Sequence, residues 1–258
     1  MSKFDINVKM IVTDLDNTLL RRDKTVSEYT IQVFQRIRNH GVLIAFATAR
    51  DFRFVTEYIT PRTDITPDIL IADNGALACY DGKDIYKKMI PSKIANSLLP
   101  RFKLVRCVST EDAYYLSGEY SNDHWSIGKK ATIVTDFAKV IEGDAFYLDG
   151  DTEKTSMILN EDYPDIRVVT YSDVDLVTIV HREATKLKAL ITVQNALNIE
   201  AGEIAYFGDD YSDIEVLSSC KNSIAVANAI NECKAVANFI CDTNDNDGVA
   251  KWLEENVL

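Results

Sequence analysis

Histidine is scarce in this chain: His40, His124 and His181 are the only three in 258 residues, and they lie far apart. The five cysteines, Cys79, Cys107, Cys220, Cys233 and Cys241, form no CxxC pair. A zinc site built from imidazoles and thiolates therefore lacks its raw material. An odd, scattered cysteine set also reads as reduced thiols rather than a disulfide framework. No apolar run is long enough to read as a membrane span. The start, Met1-Ser2-Lys3-Phe4-Asp5, lacks the continuous apolar stretch of a signal peptide. Basic residues are the minority, 28 against 40 acidic, giving a net charge of -12. Nucleic acid and anionic membrane both reward clustered Lys and Arg, so neither is an expected partner. The expected compartment is the cytoplasm, and a monomer and a homodimer are equally compatible with the sequence.

What is present is ordinary globular material, 47% hydrophobic and 26% charged. Short apolar runs at 8–13, 42–47 and 68–72 read as buried strands. Between them, Ile31, Val33, Phe34 and Ile37 share one face of a helix over 27–38, with Ser27 as its cap and His40-Gly41 as its end. A second helix is expected over 52–59, before Pro61 and Pro67 punctuate a loop. Strand–helix–strand–helix–strand is the pattern of a parallel sheet covered on both faces.

After Asn74-Gly75 the pattern changes. Runs at 77–80 and 85–88 around Asp81-Gly82 read as a hairpin, and strands are expected near 102–108, 145–148 and 167–170. This stretch carries Tyr114, Tyr115, Tyr120, Trp125 and Tyr147. From Glu183 the first pattern resumes, with a helix marked by Leu187, Leu190, Ile191 and Leu197, strands at 204–207 and 223–227, and a last helix over 248–255. The predicted fold class is α/β. A Rossmann-like parallel-sheet core, discontinuous over 1–76 and 181–258, carries an inserted α+β cap over 77–180. Substitutions within 111–147 are expected to alter the substrate profile.

Asp14 and Asp16 follow the first apolar run, and Gly208-Asp209-Asp210-Tyr211-Ser212-Asp213 follows another. An open α/β sheet gathers its reactive groups at such strand ends. Carboxylates collected there repel one another unless a hard divalent cation, magnesium by preference, lies between them. At the mouth of its strand, Asp14 can attack phosphorus while Asp16 exchanges the protons. Thr48, after the 42–47 strand, can hold phosphate oxygens or cap the next helix. Lys186 sits unfavourably at a helix start, which suggests a partner of negative charge, although a solvated lysine is the plainer reading. Arg50 reads either as an anion contact or as a surface ion pair. Asp209 is the best second metal ligand. Asp210 and Asp213 can ligate, position ligand waters or cap a helix.

The combined pattern resembles the haloacid-dehalogenase-type phosphatases, specifically the Cof-like group with a large cap. Asp14-Leu15-Asp16-Asn17-Thr18-Leu19-Leu20 resembles the nucleophile motif, and Ala47-Thr48-Ala49-Arg50 the phosphate-binding motif. Asn74-Gly75 resembles the entry to the cap, Thr185-Lys186 the lysine-bearing helix start, and Gly208 to Asp213 the acidic metal loop. Asn228-Ala229 resembles a substrate-side Asn-Ala pair. The resemblance implies Asp14 as nucleophile, Asp16 as acid/base, and a Mg2+ held by Asp14, the backbone carbonyl of Asp16, and Asp209. It also implies substrate contacts from Thr48, Ala49, Arg50, Lys186 and Asn228, with Asp210, Ser212 and Asp213 supporting the metal. Asn17 and Ala49 stand where the family commonly has Gly, Ser212 where it usually has Asn, and Leu187 where it often has Gly.

The expected activity is magnesium-dependent hydrolysis of small phosphomonoesters, such as sugar phosphates or phosphorylated cofactors, through an aspartyl phosphate. A phosphotransferase or mutase would share the first half-reaction. A non-catalytic phosphometabolite-binding protein is the alternative from another class.

Overall fold

The computed structural model describes residues 7–98, 105–110, 113–117, 130–134, 145–148, 156–157, 159, 162–174 and 176–258. The chain first lays down β1 (Met10–Thr13), β2 (Leu43–Ala47), β3 (Ile69–Ala72), β4 (Leu77–Tyr80) and β5 (Lys83–Lys87). It then builds β6 (Val105–Ser109), β7 (Ala113–Ser117), β8 (Lys130–Val134), β9 (Ala145–Leu148), β10 (Ile166–Thr170) and β11 (Val177–His181). It returns with β12 (Ile204–Gly208), β13 (Asn222–Val226) and β14 (Phe239–Cys241). One sheet has the order β14-β13-β12-β1-β2-β3-β4-β5, and the other β10-β11-β9-β6-β7-β8.

From β14 to β3 the first sheet is parallel. Its central strands are buried along their whole length, as near-continuous apolar runs such as Met10-Ile11-Val12 require. Helices seal the faces. The Glu28–Asn39 helix contributes Val33, Phe34 and Ile37, the Lys186–Leu197 helix Leu190 and Val193, and the Gly248–Asn256 helix Trp252 and Leu253. The first of these starts as its sequence predicts: Ser27 accepts a hydrogen bond from the amide of Thr30. The chain runs outward from β1 through β3, then comes back to place β12 on the other side of β1. The strand order therefore reverses between β1 and β12, where an α/β sheet opens its binding crevice.

The structure departs from sequence expectation in local ways. The 77–88 hairpin, expected in the insertion, extends the first sheet because β4 pairs antiparallel with β3. Three successive positive φ values, at Asp73, Asn74 and Gly75, turn the chain back on itself there. Around Phe52 the helix runs on through a wide π-turn at Val55–Ile59 into Thr60–Thr63, so Pro61 lies in a helix rather than in a loop. A short helix at Asn231–Val236 precedes β14, which is only Phe239–Cys241. The expectations for Tyr120 and Trp125 lie outside the described residues.

The second sheet enters the chain between β5 and the Lys186–Leu197 helix and has its own apolar clusters. One includes Val108, Phe146, Val177 and Ile179. All five cysteines are free thiols, four of them buried. Among the described residues no helix is long and apolar enough to cross a membrane.

Candidate active site

Adjacent strand ends bring Asp14 and Asp209 together. The β1–β12 ladder pairs Thr13 with Phe207, and the Asp14 amide continues it by donating to the Phe207 carbonyl at 3.0 Å. Beyond that point both chains leave the sheet, and Asp14, Asp209 and Asp213 converge with carboxylate oxygens within 4.8 Å of one another. All three are buried.

Lys186 compensates them. It is the first residue of its helix, behind the Thr185 cap, yet it is only 2% exposed. Its Nζ donates to Asp14 Oδ1 and to Asp213 Oδ1, both at 2.8 Å. The solvated reading of this lysine is therefore set aside. Its position depends on Gly75, whose φ is +90°: a Cβ there would lie 2.3 Å from the Thr185 carbonyl carbon and oxygen. The Asn74-Gly75 pair thus lets the turn after β3 press against the backbone that aims Lys186.

Asp213 is fully occupied. Besides Lys186, Oδ1 takes the Tyr206 hydroxyl at 2.6 Å, while Oδ2 takes the amides of Asp209 and Asp210. Gly208 leaves room for this arrangement, since a Cβ on it would come within 2.6 Å of the Asp213 side chain. Asp213 is thus the brace of the acidic loop. Tyr206, buried in β12, was not singled out from sequence because a tyrosine in an apolar strand reads as core.

Burial raises the Asp14 carboxyl, Lys186 opposes that, and Asp213 and Asp16 add to it; the outcome is a value pushed up to about 7. Asp209 is likewise raised, by burial and then by Asp14 and Asp213, although Thr18 donates to its Oδ1 at 2.5 Å. Burial disfavours the charged Lys186, but its two carboxylates outweigh that and raise it.

Asp16 is in a different environment. Burial would raise its carboxyl, but Arg50 and Lys24 together hold it well below the usual carboxylate range. Arg50 grips it with Nε at 2.8 Å and Nη2 at 3.1 Å, and Lys24 Nζ donates to Oδ1 at 2.6 Å. Arg50 is therefore an ion pair, made with a site residue. Lys24 was missed because an Arg-Arg-Asp-Lys run reads as a solvated loop.

Thr48 is 1% exposed at the end of β2, and its Oγ1 accepts the Arg50 amide. The helix cap is Asp51, which accepts the amides of Arg53 and Phe54, so Thr48 is not the cap. Ala49 keeps to negative φ, whereas Asn17 is left-handed at 59°, a conformation Asn tolerates better than most residues. Thr48, Ala49, Arg50, Lys186, Asp210 and Ser212 all border one cavity of about 320 Å³, as do Asp14, Asp16 and Asp209. Asn228 is not among its lining residues. It donates to the Asn17 carbonyl and accepts the Asn244 amide, tying the loop after Asp14 to the one before the last helix.

The donor set suits a hard divalent cation. Asp14 and Asp209 offer oxygens whose charged forms burial and mutual repulsion disfavour, a penalty that such an ion would remove. Asp210 points a buried Oδ1 that has no hydrogen-bond partner among the described residues. Asp213 has no oxygen to spare.

From the second sheet, Tyr171, Asp173, Val174 and Leu176 also line the cavity. Among the described residues, the insertion thus reaches the site through the segment between β10 and β11; most of 111–147, where the sequence places the substrate-selecting positions, lies outside the described residues.

The profile of the haloacid dehalogenase-like hydrolases matches residues 11–253. The chain is 27% identical to the 5-amino-6-(5-phospho-D-ribitylamino)uracil phosphatase YitU of Bacillus subtilis, over 95% of this chain and 96% of that protein. It is 21% identical to the Escherichia coli phosphatase YbjI of the same description, over 97% and 96%. A HAD/COF-like hydrolase structure from Plasmodium vivax superposes with a TM-score of 0.86 at 16% identity, covering 97% of this chain and 96% of that one. With the matched profile spanning nearly the whole sequence, and Asp14, Thr48, Lys186 and Asp209 gathered at the sheet's reversal point, this chain belongs to the haloacid dehalogenase-like hydrolase family.

Proposed function

We propose that the protein is a magnesium-dependent phosphomonoester hydrolase working through an aspartyl phosphate. The observation that carries this reading is the Asp14 carboxylate, held through Oδ1 by a buried lysine beside Asp209 at the floor of the cavity. Asp14 and Asp209 are the residues that would hold Mg2+, with Asp16 contributing its backbone carbonyl and Asp210 facing the same place. When bound, the ion supplies charge neutralisation for the carboxylates and the phosphoryl oxygens.

The chain's own groups account for the rest. With Oδ1 tied to Lys186, the other Asp14 oxygen attacks phosphorus, and the ester oxygen departs with a proton from Asp16. Water then gives a proton to Asp16 and attacks the same phosphorus, releasing phosphate and restoring Asp14. Arg50 and Lys24 favour the charged Asp16, the form needed as base. A phosphate dianion in the cavity draws part of that positive charge to itself, which eases protonation of Asp16 for the first half-reaction. Thr48 and Lys186 hold the phosphoryl oxygens. The second sheet acts as a cap that closes the cavity from bulk water.

The substrate is a small phosphorylated metabolite. The relatives' 5-amino-6-(5-phospho-D-ribitylamino)uracil is the first compound to assay, with sugar phosphates and phosphorylated cofactors beside it. Stoichiometric release of inorganic phosphate in magnesium is the expected result. Transfer to an added alcohol without such release would identify a phosphotransferase instead.

Asp209→Ala is expected to shift the magnesium dependence strongly to higher concentration, since one oxygen ligand is lost and Asp14 is left poorly oriented. A magnesium titration that superposes on wild type would reject Asp209 as a ligand.

Asp14 also predicts a pH effect. Its folded value of about 7 exceeds the ordinary 3.8. The folded state thus keeps a proton that the unfolded chain gives up. The associated stability is complete below about 4 and is lost as pH rises through 7. Lys186, Asp213, Asp16 and Asp209 are the charged groups around it. With magnesium chelated, Tm should therefore fall between pH 6 and 8, and added magnesium should raise Tm more at pH 8 than at pH 6. Equal magnesium increments at both pH values would contradict this account.

A further inference from the structure

Arg50 reaches Asp16 through a long side chain, and the ring of Phe54 lies where that side chain passes. The backbone beneath it is fixed: the Arg50 amide donates to Thr48 Oγ1 at 3.1 Å, and its carbonyl accepts the Asp73 amide at 2.9 Å. A fixed backbone still leaves the rotamers of the stem open. The guanidinium carbon sits over the Phe54 ring, 4.8 Å from its centroid, while Nε and Nη2 meet the two oxygens of Asp16. A guanidinium stacked on a ring spends no N–H on that contact, so its plane is held while its edge goes on donating. Lys24 also binds Asp16, but an ammonium is a point charge and sets no plane.

The stack continues away from the cavity. Phe54 meets Tyr58 with ring centroids 4.9 Å apart, tilted by 36°, and the Arg62 guanidinium lies over the Tyr58 ring at 3.4 Å from its centroid. Residues 50, 54, 58 and 62 thus form a file of cation, ring, ring and cation. Arg62 Nη1 donates to the Tyr58 carbonyl at 2.9 Å, which anchors the outer end. The file crosses the π-turn at Val55–Ile59, closed by the Thr60 amide on the Val55 carbonyl. Turns of this kind occur frequently at functional sites. Phe54 is 7% exposed, packs in the main apolar cluster and borders the cavity. Packing alone asks for apolar volume there, not for a ring under a guanidinium.

We propose that Phe54 is a positioning residue for the phosphatase reaction: its ring holds the Arg50 fork on Asp16, and Tyr58 backs the ring. The proposal rests on the phosphatase reading and adds to it a residue that acts through Arg50. Asp16 has to meet the leaving oxygen and then water from one place, and a two-pronged contact fixes the plane of its carboxylate for both encounters.

The test measures kcat and KM in magnesium for ribose 5-phosphate, acetyl phosphate and 5-amino-6-(5-phospho-D-ribitylamino)uracil, using each one that the wild-type full chain hydrolyses, with Tm of the same preparations. Phe54→Leu keeps apolar volume and removes the ring face. It should lower kcat roughly 5- to 30-fold on every such substrate, the factor to which a cation–ring contact corresponds, with little change in KM. Phe54→Tyr keeps the ring and should hold kcat near wild type. Tyr58→Leu, one turn beyond, should give a smaller loss of the same kind, and it carries the test if Phe54→Leu does not fold. In an Arg50→Met background there is no guanidinium to position, so Phe54→Leu should cost no further factor in kcat while still lowering Tm. A Phe54→Leu enzyme with wild-type kcat would overturn the proposal. So would an equal loss in both backgrounds, which would assign Phe54 to packing alone, or a loss confined to the substrates with the larger leaving groups, which would make it a substrate contact. Phosphate release by the wild type from none of the three would overturn the phosphatase reading itself, and this proposal with it.

Discussion

Asp14→Asn is expected to abolish turnover while leaving the fold intact. The amide keeps the shape of the carboxylate but is a poor nucleophile and a weak magnesium ligand. The loss in kcat should be roughly 10⁵–10⁶-fold, the scale on which removal of a covalent nucleophile is felt. Stability should hold or rise, because burial already disfavours the charged form of Asp14 and Lys186 retains Asp213 as a partner. Steady-state phosphate release and thermal denaturation of the same preparation check both halves. Near-normal turnover on the best substrate would sink the covalent mechanism, and a large fall in Tm would show that the Asp14–Lys186 pair has a mainly structural role.

Lys186→Met should damage both catalysis and stability. The substitution keeps an unbranched apolar stem but removes a cation that reaches both Asp14 Oδ1 and Asp213 Oδ1. Breaking a buried ion pair from one side costs about 3–5 kcal/mol, because the remaining charge is left without compensation. Here two carboxylates are left, so the Tm drop should exceed that of Asp14→Asn. Removing one electrostatic contact to the phosphoryl group lowers kcat by roughly 10²–10³-fold, and displacement of the acidic loop adds to that. Magnesium should restore part of the lost stability by supplying positive charge to Asp14 and Asp209. A Lys186→Met protein with wild-type Tm in chelator would mean that the two carboxylates do not depend on this lysine.

The sequence alone determined the α/β core, because runs such as Met10-Ile11-Val12 and Ile204-Ala205-Tyr206-Phe207 are too short and too apolar for anything but central strands. It also determined which loops carry the acids, since polar residues directly after such a strand must lie at its mouth. Chain order did the rest for Asp14, Thr48, Lys186 and Asp209. What it could not supply was distance between residues remote in sequence. The hairpin at β4–β5 was placed with the insertion because a turn signal marks a reversal but not the strand it returns to; pairing with β3 is a tertiary choice. Lys24 reads as solvent-facing until Asp16 is found 2.6 Å from its Nζ. Tyr206 looks like core until its hydroxyl is seen on Asp213, and the bond from the Asn228 amide to the Asn17 carbonyl joins residues that the sequence shows only as far apart. Tyr171, Ser172 and Asp173 form no motif of their own; their place at the cavity comes from hydrogen bonds to Asn74, Asp210 and Asn17, made across sequence separations that local periodicity does not register. Local pattern encodes burial and strand ends because those follow from each residue's own chemistry, whereas the partners of a buried charge are set only when the packed sheet brings distant loops to the same point.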